Sequence, residues 1–105
     1  MTDRNWTKVI DHGAMEDGDV VAVAVSGREI ALYFIDGEYF ATDNLCPHGN
    51  AKLSDGYLDG HVIECPLHAG LIDVRTGAGC GAPITAPVAS YVTRIDGDGV
   101  YIVTA

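Results

Sequence analysis

The chain has 105 residues, 48% of them hydrophobic, which fits one globular domain with a packed core and excludes a disordered tail. Six Lys and Arg against 15 Asp and Glu give a formal net charge of −9, which argues against nucleic acid or an anionic membrane. The charge fits either a partner with a basic patch or an acidic surface that serves only solubility. The longest apolar run, residues 20–25, is far shorter than the roughly 20 residues of a membrane span, and the charged first residues lack a signal-peptide core. A soluble cytoplasmic protein is therefore expected.

Segments with β-branched or alternating apolar residues are predicted to form strands, at residues 6–10, 19–25, 29–35, 38–42, 61–64, 71–74, 90–95 and 100–104. Ser26-Gly27 and Asp36-Gly37 are predicted two-residue hairpin turns, and residues 96–99 are predicted to close another hairpin. Only residues 11–17 could form a helical turn, and Gly13 and Gly18 keep it short. The predicted fold class is all-β and mostly antiparallel.

The residues with metal-binding chemistry lie in two arms in the middle of the chain. Residues 46–49 read Cys-Pro-His-Gly and offer Cys46 and His48, and residues 65–70 read Cys-Pro-Leu-His-Ala-Gly and offer Cys65 and His68. Each Pro fixes φ directly after the Cys, and each Gly lets the backbone approach a bound group closely. Two thiolates and two imidazoles are the donor set of a [2Fe–2S] cluster in which the two Cys hold one iron and the two His hold the other. One such cluster and single-electron transfer are the leading prediction.

A structural zinc site is the rival interpretation of the same four residues. Zinc fingers usually place two Cys in one arm and two His in the other, whereas here each arm contains one of each. The mixed arms favour the iron–sulfur cluster, and a zinc-stabilised structural binding module stays as the alternative. The third cysteine, Cys80, is left over and is predicted to be a small buried side chain near the cluster, with a redox-sensitive thiol as the alternative.

The two arms are expected in a cluster-binding lobe of about residues 44–70, inserted into the β framework of a single domain over residues 1–105. Residues 76–87 are rich in Gly, Ala and Pro and have no strand pattern. Their spacing does not match the dinucleotide-binding fingerprint, so a third loop that covers the cluster is predicted instead.

The arms and their flanks resemble the Rieske proteins, and in particular the small ferredoxin components of bacterial ring-hydroxylating dioxygenases of the naphthalene-dioxygenase type. The resemblance lies in residues 41–49 (ATDNLCPHG), 54–58 (SDGYL) and 63–68 (IECPLH), and it continues in residues 73–77 and 82–84. It implies the Rieske fold, an antiparallel β sandwich or barrel-like framework with a small inserted cluster-binding lobe.

The same resemblance implies an electron carrier that is not itself an enzyme. It would pass single electrons from a flavoprotein ferredoxin reductase to a terminal ring-hydroxylating oxygenase, meeting both partners transiently and as a monomer. The alternative is the electron-transfer subunit of another oxidoreductase, such as an aromatic monooxygenase.

Two departures separate the chain from the Rieske proteins of cytochrome complexes, whose arms each carry an additional Cys that forms a disulfide between the loops. Ala51 and Leu67 stand at those places, so no such disulfide can form. Gly70 stands where that subclass has a Ser that donates to the cluster sulfurs. A potential toward the low end of the roughly −150 to +300 mV Rieske range is therefore predicted. It should fall at high pH as the outer nitrogens of the exposed His ligands lose protons.

Only His12 and His61 remain once the other two His are assigned to the cluster. A mononuclear oxygenase iron needs two His and a carboxylate, and these two His occur in separate sequence contexts typical of surface side chains. The chain is therefore predicted to serve an oxygenase without a catalytic site of its own. The aromatic side chains, Tyr57 among them, are predicted to pack in the core or in hairpins.

Overall fold

A computed structural model describes residues 6–45, 51–66, 70–80 and 88–103. Its strands are β1 (Trp6–Asp11), β2 (Val20–Val25), β3 (Arg28–Ile35), β4 (Glu38–Asp43), β5 (Tyr57–Asp59), β6 (Val62–Glu64), β7 (Leu71–Asp73), β8 (Ser90–Asp96) and β9 (Gly99–Val103). One 3₁₀ turn, Leu53–Asp55, lies between β4 and β5. The predicted all-β class is confirmed. No helix in the described ranges has the length and apolar character needed to cross a membrane.

Six strands form one antiparallel sheet in the order β1-β9-β8-β4-β3-β2. The outer strands β1 and β2 also contact each other, so the sheet curls into a nearly closed barrel. Closure of this kind leaves little strand edge open to another chain. The barrel-like framework expected from the sequence is confirmed.

The predicted hairpin turns are present, and their backbone explains their residues. Ser26 and Gly27 have φ of 52° and 80°, and Asp36 and Gly37 have φ of 50° and 82°. Positive φ at both central residues is the type I′ geometry that matches the twist of the flanking strands. The β8–β9 hairpin turns at Gly97, whose φ is 61°.

Strand β3 separates two hydrophobic cores and is apolar on both of its faces. Ile30 and Leu32 point into the barrel, where they pack with Val100 and Ile102. The alternate residues of the strand pack in a second core, which contains Ala31, Tyr33, Ile35, Leu53, Ile63, Cys65, Ile72, Val74 and Val88. The uninterrupted apolar run in β3 is therefore typical of a strand that is buried on both sides.

The second core belongs to a lobe that is inserted between the neighbouring strands β4 and β8. Its antiparallel sheet has the order β5-β6-β7, in which Leu58, Ile63 and Ile72 are paired and point inward. The inserted lobe was expected, whereas β5 was not predicted. A three-residue strand is too short to show an alternation of apolar and polar residues.

The helical turn considered for residues 11–17 is wrong. This segment forms turns, one of them closed by the Ala14 N–H donating to the Asp11 carbonyl at 3.1 Å. Gly13 and Gly18 have φ of 101° and 89°, which is incompatible with a right-handed helix.

Candidate metal centre

Of the four predicted ligands, Cys65 lies within the described residues. Cys46, His48 and His68 belong to segments 46–50 and 67–69, which lie outside them. Cys65 follows β6 directly, and its side chain is 0% exposed. It packs in the lobe core beside Leu53 and Ile72, so bulk water is excluded from its surroundings.

The second arm is a loop with fixed ends. The backbone N–H of Cys65 donates to the Gly70 carbonyl at 2.7 Å, and the next residues outward, Glu64 and Leu71, are paired in the β6–β7 ladder. The arm is therefore the connection of the β6–β7 hairpin. His68 lies in this connection by sequence.

The first arm is also fixed at both ends. Leu53 N–H donates to the Asn44 carbonyl at 2.7 Å, and Ser54 N–H donates to Asn44 Oδ1 at 2.7 Å. Leu45 and Lys52 form an antiparallel bridge between these contacts and the arm. Residues 46–50, with Cys46 and His48, connect the two sides of this closure.

The roots of the two arms meet in one core. Ala51 and Leu53, just after the first arm, pack in the same cluster as Cys65. Gly56 lies so close to β6 that an added Cβ would overlap the carbonyl oxygen of Glu64. Both arms therefore leave one small packed unit, as two arms that hold a single group require.

Two observations on the described residues fit an iron–sulfur group. Cys65 offers a sulfur in a water-poor environment, and Asn44, two residues before Cys46, is buried with its Nδ2 lacking an acceptor among the described residues. A buried donor calls for an acceptor nearby, and anionic sulfurs are acceptors. The donor set of the arms and these two observations agree with the predicted cluster ligands.

A third loop begins beside the second arm. Cys80 N–H donates to the Leu71 carbonyl at 2.8 Å, and Val88 N–H donates to the Gly77 carbonyl at 2.8 Å, which closes the loop at its base. Residues 81–87 lie outside the described residues, so cover of the cluster by this loop stays a prediction. The prediction that Cys80 is buried is wrong: its side chain is exposed, and its thiol makes a long contact of 3.8 Å with the Ala78 carbonyl.

The charged pair nearest to this region joins Asp73 of β7 to Arg75. The guanidinium Nη2 and Nε donate to Oδ2 and Oδ1 at 2.9 and 3.0 Å, and the Arg75 backbone N–H donates to Oδ1 at 2.9 Å. The side-chain hydrogen bonds from Arg75 hold the pKa of Asp73 below its ordinary value. The turn that leads from β7 into the third loop therefore carries a fixed carboxylate.

The outer face of the lobe sheet forms a groove next to the second arm. Its volume is about 420 Å³, and it is lined by Tyr57, Asp59, Val62, Glu64 and Leu71. Tyr57 is 68% exposed, so it does not pack in the core, although it lies in the β5–β6 hairpin. It points outward because its pairing partner in the sheet is Glu64, whereas the neighbouring Leu58 pairs with the inward-pointing Ile63. Apolar and acidic side chains thus share this face.

The two remaining His lie against neighbouring residues of β4. His12 Nδ1 lies 3.1 Å from the Tyr39 hydroxyl, and His61 packs edge-on against Phe40 with ring centroids 5.5 Å apart. Successive residues of a strand point to opposite faces, so the sheet separates the two imidazoles. The described residues contain no cluster of three or more His, Cys, Asp or Glu side chains that could hold a metal ion.

Comparisons with known proteins match nearly the whole chain. A family model described as "Rieske [2Fe-2S] domain" matches residues 5–92. The chain is 47% identical over 102 residues to the ferredoxin component of the naphthalene 1,2-dioxygenase system of Pseudomonas aeruginosa, with 97% of both chains covered. It is 50% identical over 96 residues to the ferredoxin component of the naphthalene 1,2-dioxygenase/salicylate 5-hydroxylase systems of Ralstonia sp, with 89% of both chains covered.

A solved structure has the same fold. It is the complex of reduced oxygenase and oxidized ferredoxin in carbazole 1,9a-dioxygenase, one chain of which superposes with a TM-score of 0.90 at 35% identity. The match covers 96% of this chain and 94% of that chain.

Proposed function

Because the chain belongs to the Rieske [2Fe–2S] domain family, we propose that it carries single electrons from a flavoprotein reductase to the terminal oxygenase of an aromatic-ring dioxygenase. The observation that carries the proposal is the two-way match over 97% of both chains with a relative named as a ferredoxin component. A partner of the oxygenase type is supported by the similar chain in a complex of oxygenase and ferredoxin.

One [2Fe–2S] cluster, held by Cys46, His48, Cys65 and His68, would supply the one-electron chemistry when bound. The residues of this chain contribute the rest. The Cys thiolates would bring negative charge to the iron that they hold, and the neutral imidazoles would leave theirs less electron-rich. The lobe core around Cys65 excludes bulk water from this thiol.

The proposal assigns no catalytic site of its own to this chain. His12 and His61 each have an aromatic neighbour and lie on opposite sides of β4, which is unsuited to a shared iron. The chain would work in the cytoplasm as a monomeric carrier between larger partners.

One relative supports a second partner class. The ferredoxin component from Ralstonia sp is named for both a naphthalene dioxygenase and a salicylate 5-hydroxylase system. A carrier of this kind is therefore compatible with service to an aromatic monooxygenase as well, which is the alternative considered from the sequence.

Reconstitution tests the proposal. The purified chain is expected to contain two irons and two sulfides and no zinc, to bleach with dithionite, and to support NADH-dependent product formation by a naphthalene-type terminal oxygenase when a flavoprotein reductase is present. The same assay with a salicylate hydroxylase oxygenase separates the two partner classes. A colourless zinc protein, or an iron protein that supports neither oxygenase, would contradict the proposal.

Matched variants test the ligand assignment. Cys46→Ser and His68→Asn are expected to lose iron and turnover, whereas Cys80→Ser and His12→Asn are expected to retain both. Cys80 is exposed and His12 contacts Tyr39, so neither belongs to the proposed ligand set. Loss of iron in Cys80→Ser with retention in Cys46→Ser would reverse the assignment.

A further inference from the structure

Asn44 occupies the root of the first arm and is buried without exposure to solvent. It directly follows β4 and stands two residues before Cys46. Its backbone N–H donates to the Glu29 carbonyl at 3.2 Å, and its carbonyl accepts from Leu53 N–H at 2.7 Å. The backbone of Asn44 therefore joins β3 to the segment that returns from the arm.

The orientation of the Asn44 side-chain amide is fixed by one contact. Its Oδ1 accepts from the backbone N–H of Ser54 at 2.7 Å. If the amide were flipped, its NH2 group would face this N–H, and two donors cannot bond to each other. The oxygen therefore faces Ser54, and the nitrogen points elsewhere.

That nitrogen, Nδ2, is buried and has no acceptor among residues 6–45, 51–66, 70–80 and 88–103. Buried polar atoms in folded proteins nearly always have a partner, so an unpaired donor calls for one outside this set. The missing partner must accept a hydrogen bond, which excludes a cation or an N–H group. It must also lie at the arm root, where Asn44 contacts Leu53, a neighbour of Cys65 in the lobe core.

The sulfurs of the proposed cluster satisfy these conditions. Thiolate and sulfide are anionic acceptors, and hydrogen bonds to them are among the determinants of the reduction potential of an iron–sulfur group. Cys46, the nearest predicted ligand along the chain, is two residues from Asn44. An amide can donate this hydrogen bond without adding charge, whereas a carboxylate at this position would add a negative charge.

We propose that the Asn44 side-chain amide donates an N–H hydrogen bond to a sulfur of the proposed cluster. The proposal rests on the proposed function only in requiring that the chain hold the cluster. The bond stabilises the reduced form, which carries one more negative charge, and thereby raises the midpoint potential. Asn44 is then a positioning residue that links the closure of the first arm to the potential of the cluster.

Isotope labelling tests this bond without substituting Asn44. The chain contains three asparagines, Asn5, Asn44 and Asn50, and replacing Asn5 and Asn50 by glutamine leaves Asn44 as the sole site for side-chain 15N-labelled asparagine. In the dithionite-reduced protein, hyperfine spectroscopy is expected to detect a 15N coupling to the cluster from this label. Absence of the coupling would overturn the proposal and would mean that Asn44 Nδ2 donates to a water or a carbonyl instead.

A pair of near-isosteric substitutions supplies the second readout. Asn44→Leu removes the donor and is expected to lower the midpoint potential. Thr42→Val is the control, because Thr42 is an equally buried polar residue of the adjoining strand whose hydroxyl bonds Tyr33 at 2.9 Å. It should lower stability and leave the potential unchanged. Equal shifts in both variants would show a general structural effect and overturn the proposal.

Failure of this proposal is distinguishable from failure of the proposed function. Both readouts use the cluster alone and need no partner protein. If the iron-loaded chain shows no 15N coupling but still supports oxygenase turnover, only the Asn44 bond is contradicted. A labelled coupling in a chain that supports no oxygenase contradicts only the partner assignment.

Discussion

Asp73 shows how one residue fixes the turn beside the second arm. Its carboxylate accepts three hydrogen bonds from Arg75, and its backbone carbonyl accepts from Gly77 N–H at 2.7 Å. The hydrogen bonds from Arg75 favour the charged carboxylate and lower its pKa in the folded state. The stabilisation is therefore complete above the pKa of the unfolded chain, about 3.9, and is lost as the pH falls through the lower folded pKa.

Asp73→Asn is expected to reduce the free energy of unfolding at pH 7 by about 0.5–1 kcal/mol, because the pair is partly exposed and screened by solvent. The difference from the unmodified chain should shrink as the pH falls through the acid range, where the carboxylate becomes protonated. Unfolding midpoints of both proteins at several pH values measure this difference in stability. The control is Asp96→Asn, which breaks a surface pair of 3.3 Å with Arg94 and should change stability less. A difference that persists at the lowest pH would contradict the assigned cause.

Sequence patterns identify some of these residues and miss others. Cys and His can be recognised as candidate ligands from their type and spacing, and the four proposed ligands stay a prediction. The role of Asn44 in closing the first arm was not predictable, because its partners Leu53 and Ser54 lie nine and ten residues further on and depend on the course of the chain between them. Cys80 was misjudged for a similar reason: composition predicts burial of a Cys, but the edge of β7 holds its backbone and leaves its side chain exposed.

At the scale of elements, Gly56 joins the 3₁₀ turn to the lobe sheet. Its backbone is extended, with φ of −87° and ψ of −167°, so any residue could adopt its conformation. What excludes a side chain is the carbonyl oxygen of Glu64, which occupies the place of a Cβ. The close approach brings the start of β5 against the end of β6, one residue before Cys65.

Gly56→Ala is therefore expected to push β6 away and to cost about 1–3 kcal/mol, the range for overpacking. Because Glu64 precedes Cys65, iron content should fall as well. Gly60→Ala is the matched control: Gly60 has a φ of 60° but open space around its Cα. It should cost a comparable 1–2 kcal/mol or so through backbone strain while retaining iron. Equal iron content in the two variants, measured per folded chain, would contradict the link between β6 and the metal centre.

The elements that were predictable from sequence are those with a local signal. Strands β2, β3 and β4 have apolar stretches bounded by Ser26-Gly27 and Asp36-Gly37, and both turns have the positive φ that these residues tolerate. The lobe was harder to read. Its strands are three residues long, and their pairing is imposed by the core that Leu58, Ile63 and Ile72 share with β3.

At the scale of the whole molecule, the topology separates the framework from the site. Strands β4 and β8 are neighbours in the barrel, and the chain between them forms the lobe and its loops. Asp43 N–H donates to the Ala89 carbonyl at 2.9 Å, and Tyr91 donates a hydrogen bond to the Asp43 carboxylate, so the two ends of the insertion are joined. The barrel therefore fixes both ends of the insertion. The residues of the two arms carry the proposed metal-binding chemistry.

The formal charge of −9 should affect how fast the molecule associates with its partners. A carrier that meets a partner of opposite charge associates faster at low salt, and screening removes this advantage once the Debye length falls below about 10 Å. The lobe groove, in which Asp59 and Glu64 lie beside exposed Tyr57 and Leu71, brings acidic and apolar surface next to the second arm. We expect the terminal oxygenase to dock over this region through basic side chains.

The second-order rate of electron transfer to the oxygenase should therefore fall, on the order of tenfold, between low salt and about 0.5 M NaCl in stopped-flow measurements. Asp59→Asn should reduce both the low-salt rate and the slope of its salt dependence. Asp36→Asn removes the same charge from the β3–β4 turn, which is at the far end of β3 from Asn44, and should change the rate less. A rate that is independent of salt would exclude electrostatic docking at the lobe. Equal losses of rate in the two variants would exclude it as well, because a charge effect that does not depend on position reflects net charge alone.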